Sequence, residues 1–445
     1  MARKKVEELT APKGTHDIFG KDAKLFSKLE DTFKKLANFY GFSEMRTPIF
    51  EDEEVFTRSV GDTSDIVTKQ MYYLRSRSEK LVLRPEGTAP VARAYLEHGM
   101  ISWPQPVKLF YSGPFFRHET PQRLRFRQFH SLGLEIMGEE AAVRDAEIIF
   151  ILFNFFKEIG LKQVYVSINS LGDEESRSAY RQALLSYYRP KIKLLCSDCR
   201  ERIKKNPLRL LDCKKEKCVE LKFQAPAMLD HLSELAKTHF RLVLEYLDEL
   251  QLPYTLDQYL VRGLDYYTRT VFEMFVDEKG TLHQKKNPSE LDSRDVQPPL
   301  AICAGGRYDN LVKMLGGKTV PAVGVGVGLE RVVGYLKESQ TEMKERGGPK
   351  VFLIQLGDQG RKKSLGFMEL FRLNSISVAE SLGKDSIKAQ LKISDKLGCE
   401  LTVIIGQKEA LDGTALIREM KSGIQEVILQ KDIVEIIKAK LKRGE

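Results

Sequence analysis

The sequence predicts an α+β protein with a sheet-containing core, a helical insertion and a C-terminal α/β unit. Residues 110–138 read as a strand, a loop and a returning strand, because apolar and polar side chains alternate along the second arm. Residues 173–250 are polar and helix-like, so we expect them to project from the core as an insertion. Residues 349–445 alternate between strand and helix patterns, which predicts a small parallel or mixed sheet covered by helices.

The composition is that of an ordinary globular protein with a basic bias. The chain has 445 residues, enough for roughly two to four domains, and a formal net charge of +9. Much of this charge lies in residues 185–222, which contain 12 lysines and arginines against 5 aspartates and glutamates. The concentration of positive charge favours contact with nucleic acid, and a solvated basic face is the alternative.

The sequence shows neither a secretory signal nor a membrane span. Residues 1–10 have no apolar core. The most apolar run, residues 148–156, is far too short to cross a bilayer. Four of the six cysteines cluster, which is more typical of a metal site in a reducing compartment than of a disulfide framework. We therefore expect a cytoplasmic protein without membrane association.

The first predicted elements are a helix and an edge strand. Apolar residues recur at intervals of three and four along residues 21–40, which predicts an amphipathic helix, and Gly41 ends it. Residues 42–50 then read as a strand. Pro48 places this strand at an edge or an interface, because proline cannot donate to a ladder. A long helix followed by such a strand is a common dimer element, and a plain edge strand is the alternative.

A strand, a turn and two helices follow. Residues 81–83 read as a strand that runs into a turn, where Glu86 and Thr88 would be presented into a cleft. The alternative is a plain turn with a cap for a helix over residues 89–96. Residues 144–159 then read as a strongly apolar helix.

The second half of the core is again strand-rich. A strand is expected at residues 164–169, and strand-like alternation returns over residues 254–275. Residues 277–299 are polar and suit a long surface hairpin or a mobile loop. A run of small residues over 323–333 predicts a strand that passes into a helix near Leu329.

These elements divide the chain into four segments. The predicted core consists of residues 1–172 and 251–340, the helical insertion at 173–250 separates its two parts, and residues 349–445 form the C-terminal unit. The strands expected in that unit are 351–356, 375–379 and 401–405, with helices near 361–372 and 385–398.

The predicted hairpin carries more charge than a fold buries without a reason. Residues 110–138 contain four arginines and two glutamates. Such arms typically hold a polyanionic ligand between guanidinium groups, and a solvated charged hairpin is the alternative. Of the two histidines in the hairpin, we expect His130 to be a structural residue whose hydrogen bonds are satisfied.

The clustered cysteines are Cys196, Cys199, Cys213 and Cys218. Two intervening residues, then a loop, then four intervening residues suit a tetrahedral structural zinc site. The alternative is four reduced thiols on helices. Cys303 and Cys399 lie in strand or helix-end contexts and read as core residues.

Five stretches taken together resemble a known family. The strand at Pro48, Phe-Arg-x-Glu at 116–119 and Gly-Leu-Glu-Arg at 328–331 resemble, in the right order, the three signature motifs of class II aminoacyl-tRNA synthetases. Residues 260–273 and 304–309 resemble the two histidine-specific signatures of the histidyl-tRNA synthetases. The resemblance covers nearly the whole chain.

This resemblance implies a fold and an activity. The core would be the class II synthetase antiparallel sheet flanked by helices, and residues 349–445 would form an anticodon-binding domain. The activity would be ATP-dependent ligation of histidine to tRNA(His) through a histidyl-adenylate, releasing AMP and pyrophosphate. The protein would be a homodimer with the helix at 21–40 and the Pro48 strand at the interface. The basic insertion would hold the acceptor arm of the tRNA.

The resemblance assigns the triphosphate of ATP to four arginines. Arg117 is implied to hold the α-phosphate and the histidine carboxylate, while Arg125 and Arg331 hold the β- and γ-phosphates. Arg262 is implied to be the family's additional cation at the α-phosphate, where related enzymes place a metal ion. Mg²⁺ would bridge the outer phosphates. Fixed cations suit this chemistry, because charge builds on phosphate oxygens as the carboxylate attacks. The catalytic assignments are Arg117, Arg262 and Arg331.

The same hairpin is implied to contact the adenine and the tRNA. Glu119 would accept a hydrogen bond from the adenine amino group, and Phe129 would stack on the ring. Gln122 is the candidate contact to the extra 5′ guanosine of histidine tRNA. Two positions depart from the family pattern. Thr120 stands where many bacterial members carry an arginine, and Ser131 stands where we expect a glutamine that touches the α-amino group.

The resemblance also implies a binding site for histidine. Its residues are Glu86, Thr88, Arg117, Ser131, Glu135, Arg262, Tyr266 and Tyr267. Glu86 and Thr88 would bind the α-ammonium group, while Glu135 and Tyr267 would bracket the imidazole above the backbone of residues 305–306. A pocket that hydrogen-bonds an imidazole rejects isosteres strongly, because a wrong ligand leaves the polar groups of the pocket unpaired.

Two rival functions share this fold. One is a catalytically inactive synthetase-like protein that regulates histidine biosynthesis or senses uncharged tRNA. Such paralogues typically lose the histidine signatures or the C-terminal unit, and this chain carries both; Ser131 is the feature that favours this alternative. The other is a class II synthetase for a different amino acid, against which Glu135 and the stretch 262–267 argue.

Overall fold

The computed structural model describes residues 9–61, 64–76, 78–277, 300–339, 349–381 and 386–443. The chain forms two compact units, Met1–Thr341 and Glu342–Glu445. The helices are α1 (Gly20–Phe39), α2 (Glu53–Val60), α3 (Thr88–Glu97), α4 (Val143–Glu158), α5 (Glu174–Tyr188), α6 (Ser197–Lys205), α7 (Glu216–Lys222), α8 (Glu234–Glu249), α9 (Leu311–Met314), α10 (Leu329–Glu338), α11 (Gly357–Leu373), α12 (Ile387–Lys396), α13 (Gln407–Asp412) and α14 (Ile433–Arg443). Within the part of the chain that the structure describes, no helix is long and apolar enough to cross a membrane.

The strands belong to three sheets. They are β1 (Ser43–Glu44), β2 (Phe50–Asp52), β3 (Tyr72–Tyr73), β4 (Leu81–Leu83), β5 (Val107–Phe116), β6 (Gln128–Met137), β7 (Val164–Ser170), β8 (Tyr254–Leu256), β9 (Thr268–Val276), β10 (Cys303–Arg307), β11 (Ala322–Gly328), β12 (Val351–Gln355), β13 (Val378–Glu380), β14 (Leu401–Ile405), β15 (Thr414–Glu419) and β16 (Gln425–Leu429). The large sheet has the order β1-β5-β6-β11-β10-β9-β7-β8, and the small sheet of the first unit has the order β2-β4-β3.

The large sheet is antiparallel in its interior. Only its outermost pairs, β1 with β5 and β7 with β8, run parallel. Helices cover it, and α1 packs Phe33 against Phe110 of the sheet and Phe155 of α4, with ring centroids 6.5 and 5.3 Å apart. The predicted α+β fold with a helix-flanked antiparallel sheet is therefore confirmed.

The charged hairpin forms the second and third strands of the large sheet, next to the edge strand β1. Strand β5 pairs with β6 in register from Val107 opposite Met137 to Phe116 opposite Gln128. Strand β6 also pairs with β11 on its other edge. The predicted strand, loop and strand are confirmed, with residues 117–127 as the connecting loop.

The single strand predicted over residues 42–50 is wrong. Its two ends form β1 and β2, which belong to different sheets. Pro48 lies between them and has no N–H group for a ladder, so pairing stops there. The free carbonyl groups instead accept hydrogen bonds from Arg84, whose Nη1 lies 2.9 Å from Thr47 O and 3.4 Å from Pro48 O.

The continuous alternation predicted over residues 254–275 is also only partly correct. Strands β8 and β9 account for its two ends, but residues 257–267 between them are irregular. Tertiary contacts replace the ladder there. The Asp265 N–H, for example, donates to Val60 O at 3.2 Å. The polar stretch predicted as a hairpin or loop at 277–299 lies outside the described residues after Asp277.

Residues 173–250 are helical, as predicted. A separate apolar cluster lies inside this segment and includes Tyr180, Leu184 and three of the clustered cysteines. Helix α8 returns to the sheet and packs on α4, where His239 Nε2 lies 3.6 Å from Asp145 Oδ2.

The C-terminal unit is a five-stranded mixed sheet covered by helices. Its order is β13-β12-β14-β15-β16, with parallel pairing among the first three strands and antiparallel pairing among the last three. The three predicted strands and two predicted helices are present with shifted ends. Strands β15 and β16 and helices α13 and α14 are additions. Buried Ala415 and Ile417 alternate with more exposed neighbours, and this is the signal that identifies β15.

A buried ion pair joins α4 to the sheet. Arg307 and Asp145 have fully buried side chains, and the Arg307 Nε lies 2.8 and 3.1 Å from the two carboxylate oxygens. The same guanidinium donates to Ala141 O at 2.9 Å. Removing one partner of such a pair leaves an uncompensated charge in a low-dielectric interior.

We expect Asp145→Asn to lower the free energy of unfolding by about 3 kcal/mol, the lower end of the cost of breaking a buried pair, measured by urea denaturation. The buried Arg307 guanidinium loses its nearest counter-charge and is left with Asp309, whose Oδ1 is 3.4 Å away. The control is Lys337→Met, which breaks an exposed ion pair with Asp22 (2.8 Å). It should cost less than about 1 kcal/mol. Equal losses for the two variants would show that the buried pair has no special role.

Candidate active site

Four arginines converge on one side of the hairpin. They are Arg117, Arg125, Arg262 and Arg331. Burial, together with the positive charges of Arg125, Arg117 and Arg262, lowers the pKa of Arg331 to about 10. Glu119 opposes this effect through its negative charge. This mutual influence shows that residues from the hairpin, the irregular segment 257–267 and the start of α10 face one common space.

Three of these arginines are held by neighbouring backbone or side-chain oxygens. The Arg117 Nε donates to Pro85 O at 2.8 Å, and the Arg331 Nη1 donates to Ala301 O at 2.6 Å. Arg262 forms an ion pair with Glu273 of β9. A carbonyl acceptor orients a guanidinium without neutralising it, whereas Glu273 balances the charge of Arg262.

Glu119 and Phe129 lie beside the same arginines. The Glu119 carboxylate is 3.9 Å from Arg117 and 3.8 Å from Arg125. The Arg117 guanidinium carbon lies 5.4 Å from the centre of the Phe129 ring. Phe129 in turn lies 6.1 Å from Phe115 of β5. The hairpin therefore presents an aromatic face, an acceptor and two cations together.

A buried acid forms the far end of the same strand. Glu135 is inaccessible to solvent, and Thr88 donates to it at 2.8 Å and Tyr111 at 3.3 Å. The Tyr308 hydroxyl also donates to this carboxylate. Burial raises the pKa of Glu135 to about 8, although these hydroxyl donors oppose the rise. Gly324 faces it, where a Cβ would come within 1.6 Å of the carboxylate, so only glycine fits.

Glu86 is a second buried acid at this end. Its carboxylate accepts from the N–H groups of Thr88 and Ala89 at 2.7 and 2.8 Å, so it caps α3. The capped turn, which was the alternative interpretation of this stretch, is thus present. Burial raises the pKa of Glu86, and the two N–H groups and the charge of Arg117 oppose the rise. The Tyr266 hydroxyl lies 3.3 Å from the same carboxylate.

Tyr267 connects the acids to the arginines. Its pKa is raised by burial and by the charges of Glu135 and Glu86, while the charge of Arg262 lowers it. Its ring centre lies 4.7 Å from that of Tyr266 and 6.0 Å from the guanidinium carbon of Arg262. The acid pocket and the arginine cluster are therefore adjacent.

The backbone of residues 305–306 packs closely against its neighbours, including the Tyr267 ring. A Cβ on Gly306 would lie 2.5 Å from Thr270 O and 3.0 Å from the Tyr267 ring. A Cβ on Gly305 would lie 2.3 Å from Gly324 O. Both positions require glycine because neighbouring strands and side chains approach so closely.

Two tyrosines of this pocket had no predicted role. Tyr111 and Tyr308 are buried, and each donates its hydroxyl group to Glu135. A buried tyrosine hydroxyl needs a polar partner, so a tyrosine within the apolar first arm of the hairpin was the available signal for Tyr111. Its partner depends on strand pairing and could not be read from the sequence.

The other residues predicted from the hairpin make their contacts outside the acid pocket. Gln122 and Thr120 have exposed side chains on the loop, where Arg125 N donates to Gln122 O at 3.0 Å. Ser131 lies in β6, and its hydroxyl makes only a long contact of 3.4 Å to Leu132 O. His130 Nδ1 lies 2.9 Å from Glu330 Oε1, which agrees with its expected structural role.

The four clustered cysteines come together. Their sulfur atoms all lie within 4.8 Å of one another, and those of Cys196 and Cys213 are 3.8 Å apart. Zinc binds thiolate sulfur at about 2.3 Å, so tetrahedral coordination separates the sulfur atoms by about 3.8 Å. The donor set and its spacing therefore fit a zinc ion. Cys303, in β10, and Cys399, between α12 and β14, are buried, as predicted.

Comparison with known proteins agrees with this geometry. The sequence model of the histidyl-tRNA synthetase family matches residues 14–332. The histidine–tRNA ligase of Pelotomaculum thermopropionicum is 41% identical over 437 residues, which cover 97% of this chain and 98% of that protein. The chain belongs to the histidyl-tRNA synthetase family. The relative from Clostridioides difficile is 39% identical over 433 residues and covers 97% of this chain and 99% of its own length.

The two units correspond to known parts of histidyl-tRNA synthetases. The sequence model of an anticodon-binding domain matches residues 350–440. The crystal structure of apo histidyl-tRNA synthetase from S. aureus superposes with a TM-score of 0.78 at 34% identity, over 96% of this chain and 99% of that one. A structure from Nostoc, at 22% identity and a TM-score of 0.66, shares the fold. Class II synthetases use ATP, so the family implies ATP as a substrate.

We expect the pocket acid to make stability depend on pH. The pKa of Glu135 is about 8 in the folded protein against an ordinary 4.5, so the folded state holds a proton that the unfolded state releases. The free energy of unfolding should therefore fall as pH rises from 4.5 to about 8, by about 1.4 kcal/mol for each unit of pKa shift at most. Glu135→Gln, which stays neutral, should lose this part of the pH dependence.

Urea unfolding of both proteins at pH 5.5 and 8 measures the difference. Glu234→Gln removes an exposed carboxylate of α8 and is the control for loss of charge. If the parent and Glu135→Gln differ by the same amount at both pH values, Glu135 does not carry the proton.

Proposed function

We propose that this protein joins histidine to tRNA(His) in two steps, through a histidyl-adenylate formed from ATP. The observation that carries the proposal is the meeting of an arginine cluster and a buried acid pocket along one hairpin. An anionic nucleotide suits the first, and an amino acid with an ammonium group and an imidazole suits the second. The relatives named above are histidine–tRNA ligases, which supports this function over an inactive regulatory role.

In the first step the histidine carboxylate attacks the α-phosphorus of ATP and pyrophosphate leaves. Two anions must approach, and charge develops on the phosphate oxygens, so catalysis consists of positioning and fixed positive charge. We assign Arg117 and Arg262 to the α-phosphate, with Arg117 also holding the carboxylate. Arg125 and Arg331 hold the outer phosphates, and Mg²⁺ enters with those phosphates as part of the substrate.

Arg262 is well placed for its assigned role because its position is fixed. The ion pair with Glu273 and the nearby Tyr267 ring hold the guanidinium before substrate arrives. A preorganised cation stabilises the transition state without reorganisation during the reaction. Glu119 and Phe129 lie at the side of the cluster, where they bind the amino group and the face of the adenine.

The buried acids select the amino acid. Glu86 accepts hydrogen bonds from the α-ammonium group, and Thr88 lies between the two acids as a hydroxyl partner. A neutral imidazole has one donor and one acceptor nitrogen, which Glu135 and Tyr267 match. Tyr266 supports Glu86 through its hydroxyl group. Ser131 is short for a contact to the α-amino group, so a water molecule or a neighbour fills that place.

In the second step a ribose hydroxyl of the tRNA attacks the adenylate. The phosphate of the adenylate accepts the proton, so we assign no external general base. The exposed Gln122 at the tip of the hairpin loop contacts the 5′ end of the tRNA. The basic insertion holds the acceptor arm through its phosphates, and residues 349–445 read the anticodon.

Zinc, dimerisation and compartment complete the proposal. A structural zinc ion bound by the four cysteines would stabilise the insertion and supply no chemistry to the reaction. The protein forms a homodimer through α1 and the Pro48 segment, whose exposed apolar residues Phe39 and Phe50 support an interface. Its place of action is the cytoplasm, which is consistent with six free thiols.

We expect ATP–pyrophosphate exchange that depends on histidine alone among the amino acids. Arg262→Ala should lower the kcat of this exchange by on the order of 10²-fold or more, as loss of one preorganised donor does. Arg241→Ala, on the exposed side of α8, is the matched control and should retain the parent rate. Exchange with no amino acid would favour the regulatory alternative, and a near-normal Arg262→Ala would remove that residue from its role.

We expect purified protein to contain about one equivalent of zinc per chain, because four closely spaced thiols form a complete tetrahedral ligand set. Elemental analysis measures the metal, and a thiol-reactive dye counts free cysteines. Cys213→Ser should lose the zinc, while Cys399→Ser, in the other unit, should retain it. Less than about half an equivalent, with all four thiols titratable, would refute the zinc site.

A further inference from the structure

The irregular segment 257–267 is held in place from the insertion. The key contact is Arg209, in the short 3₁₀ turn Pro207–Leu210. Its Nη2 and Nε donate to Asp265 Oδ1 at 2.9 and 3.1 Å, and its Nη2 also donates to Gly263 O at 3.0 Å. One side chain of the insertion thus donates hydrogen bonds to both the backbone and a carboxylate of this segment.

Asp265 is surrounded on both sides. Asn206 of the insertion donates to the same Oδ1 at 3.0 Å. On the core side, the Asp265 N–H bonds Val60 O, and a Cβ on Gly61 would come within 2.1 Å of Oδ2. The side chain of Arg209 is only 7% exposed. A buried pair with several directed hydrogen bonds defines orientation strongly.

A second arginine of the insertion donates a hydrogen bond to the end of the segment. The Arg177 Nη1 donates to Tyr267 O at 3.2 Å. Tyr266 lies between the two attachment points, Tyr267 carries the second, and Arg262 directly precedes the first, which begins at Gly263. Residues 257–267 are irregular, so side-chain contacts of this kind take the place of a ladder in fixing their backbone.

The apolar core of the insertion holds the turn that carries Arg209 in place. Leu208 and Leu210 on either side of it are buried in one cluster with Cys199 and Cys213. Val261 packs against the same cluster. The stretch between the second and third cysteines is therefore anchored at both ends and presents Arg209 to the core.

We propose that Arg209 is a positioning residue for histidine activation, which acts through Asp265 on the segment 262–267. This inference rests on the proposed function. Without the contact, Arg262 and Tyr267 lose their alignment with the substrate, whereas the arginines that bind the outer phosphates lie on other elements. The effect should fall on histidine and on the chemical step more than on ATP binding.

The test uses full-length Arg209→Met with Arg200→Met as the matched control. Arg200 lies in the same segment, but among the described residues its side chain donates to Leu195 O and Lys193 O, within the insertion. Arg209→Met should lower kcat/KM for histidine by about tenfold to a hundredfold, as small misplacements of reacting groups do. The KM for ATP should change less than about twofold. Arg209→Lys should restore part of the loss, since it keeps the charge without the planar fork.

Hydrogen–deuterium exchange gives a readout that does not depend on activity. Amides of residues 262–267 should exchange faster in Arg209→Met than in the parent or in Arg200→Met. Asp265→Asn should show the same kinetic pattern, and the double variant should be less impaired than the sum of the single effects. If Arg209→Met does not fold, Arg209→Lys and Asp265→Asn decide the question in the same way.

Three results would overturn the proposal. They are unchanged histidine kinetics, an equal loss for histidine and ATP, and unchanged amide exchange at 262–267. A parent protein without histidine-dependent exchange would instead refute the proposed function, and with it the catalytic part of this inference. In that case, the amide exchange still shows whether Arg209 orders the segment.

Discussion

The site depends on keeping four positive charges close together in a partly buried space. Mutual repulsion is visible in the lowered pKa of Arg331, to which its three arginine neighbours contribute. Carbonyl groups of Pro85 and Ala301 hold two of the guanidinium groups, and they fix orientation without supplying a negative charge. Such an arrangement costs stability when the site is empty and is relieved when an anionic ligand enters. The hairpin is therefore suited to bind a polyphosphate, and its pairing on both sides within the eight-stranded sheet, with β1 and with β11, supplies the rigidity this requires.

The acid pocket on the same strand is close to neutral, in contrast to the positively charged arginine cluster. Phe129, Ser131 and Glu135 are separated by even numbers of residues, so they lie on one face of β6. Six residues of strand span roughly 20 Å, so Phe129 lies toward one end of β6 and Glu135 toward the other. Burial raises the pKa of Glu135, and the hydroxyl groups around it oppose this rise only in part, so the pocket stays close to neutral. The electrostatic potential along the strand thus changes from positive at the arginine end to nearly neutral at the acid end. This change can align a molecule that has an anionic part and an amino-acid part.

An element could be predicted when the residues that determine it lie within the element itself. Helices α1 and α4 and the hairpin were predicted because their apolar periodicity lies within the elements themselves. The stretch 42–50 was predicted incorrectly because strand membership depends on distant partners, and β1 and β2 pair with different strands. The segment 257–267 alternates like a strand but lacks strand partners on its way past the pocket. In the site, the residue types were indicated by motif resemblance. The hydroxyl partners of Glu135, Tyr111 and Tyr308, come from other strands and depend on register.

The contact that Arg209 of the insertion makes with Asp265 of the core is an ion pair. An apolar contact of similar size would stabilise the interface as well or better, because a buried ion pair must overcome desolvation. A carboxylate that receives three donors from Asn206 and Arg209 instead has little freedom to rotate or slide. Apolar packing tolerates small shifts, whereas directed hydrogen bonds do not. A segment that must present Tyr266, Tyr267 and Arg262 to one substrate needs orientation more than it needs binding energy. The ionic contact at Asp265 meets that need where no strand ladder is available within residues 257–267.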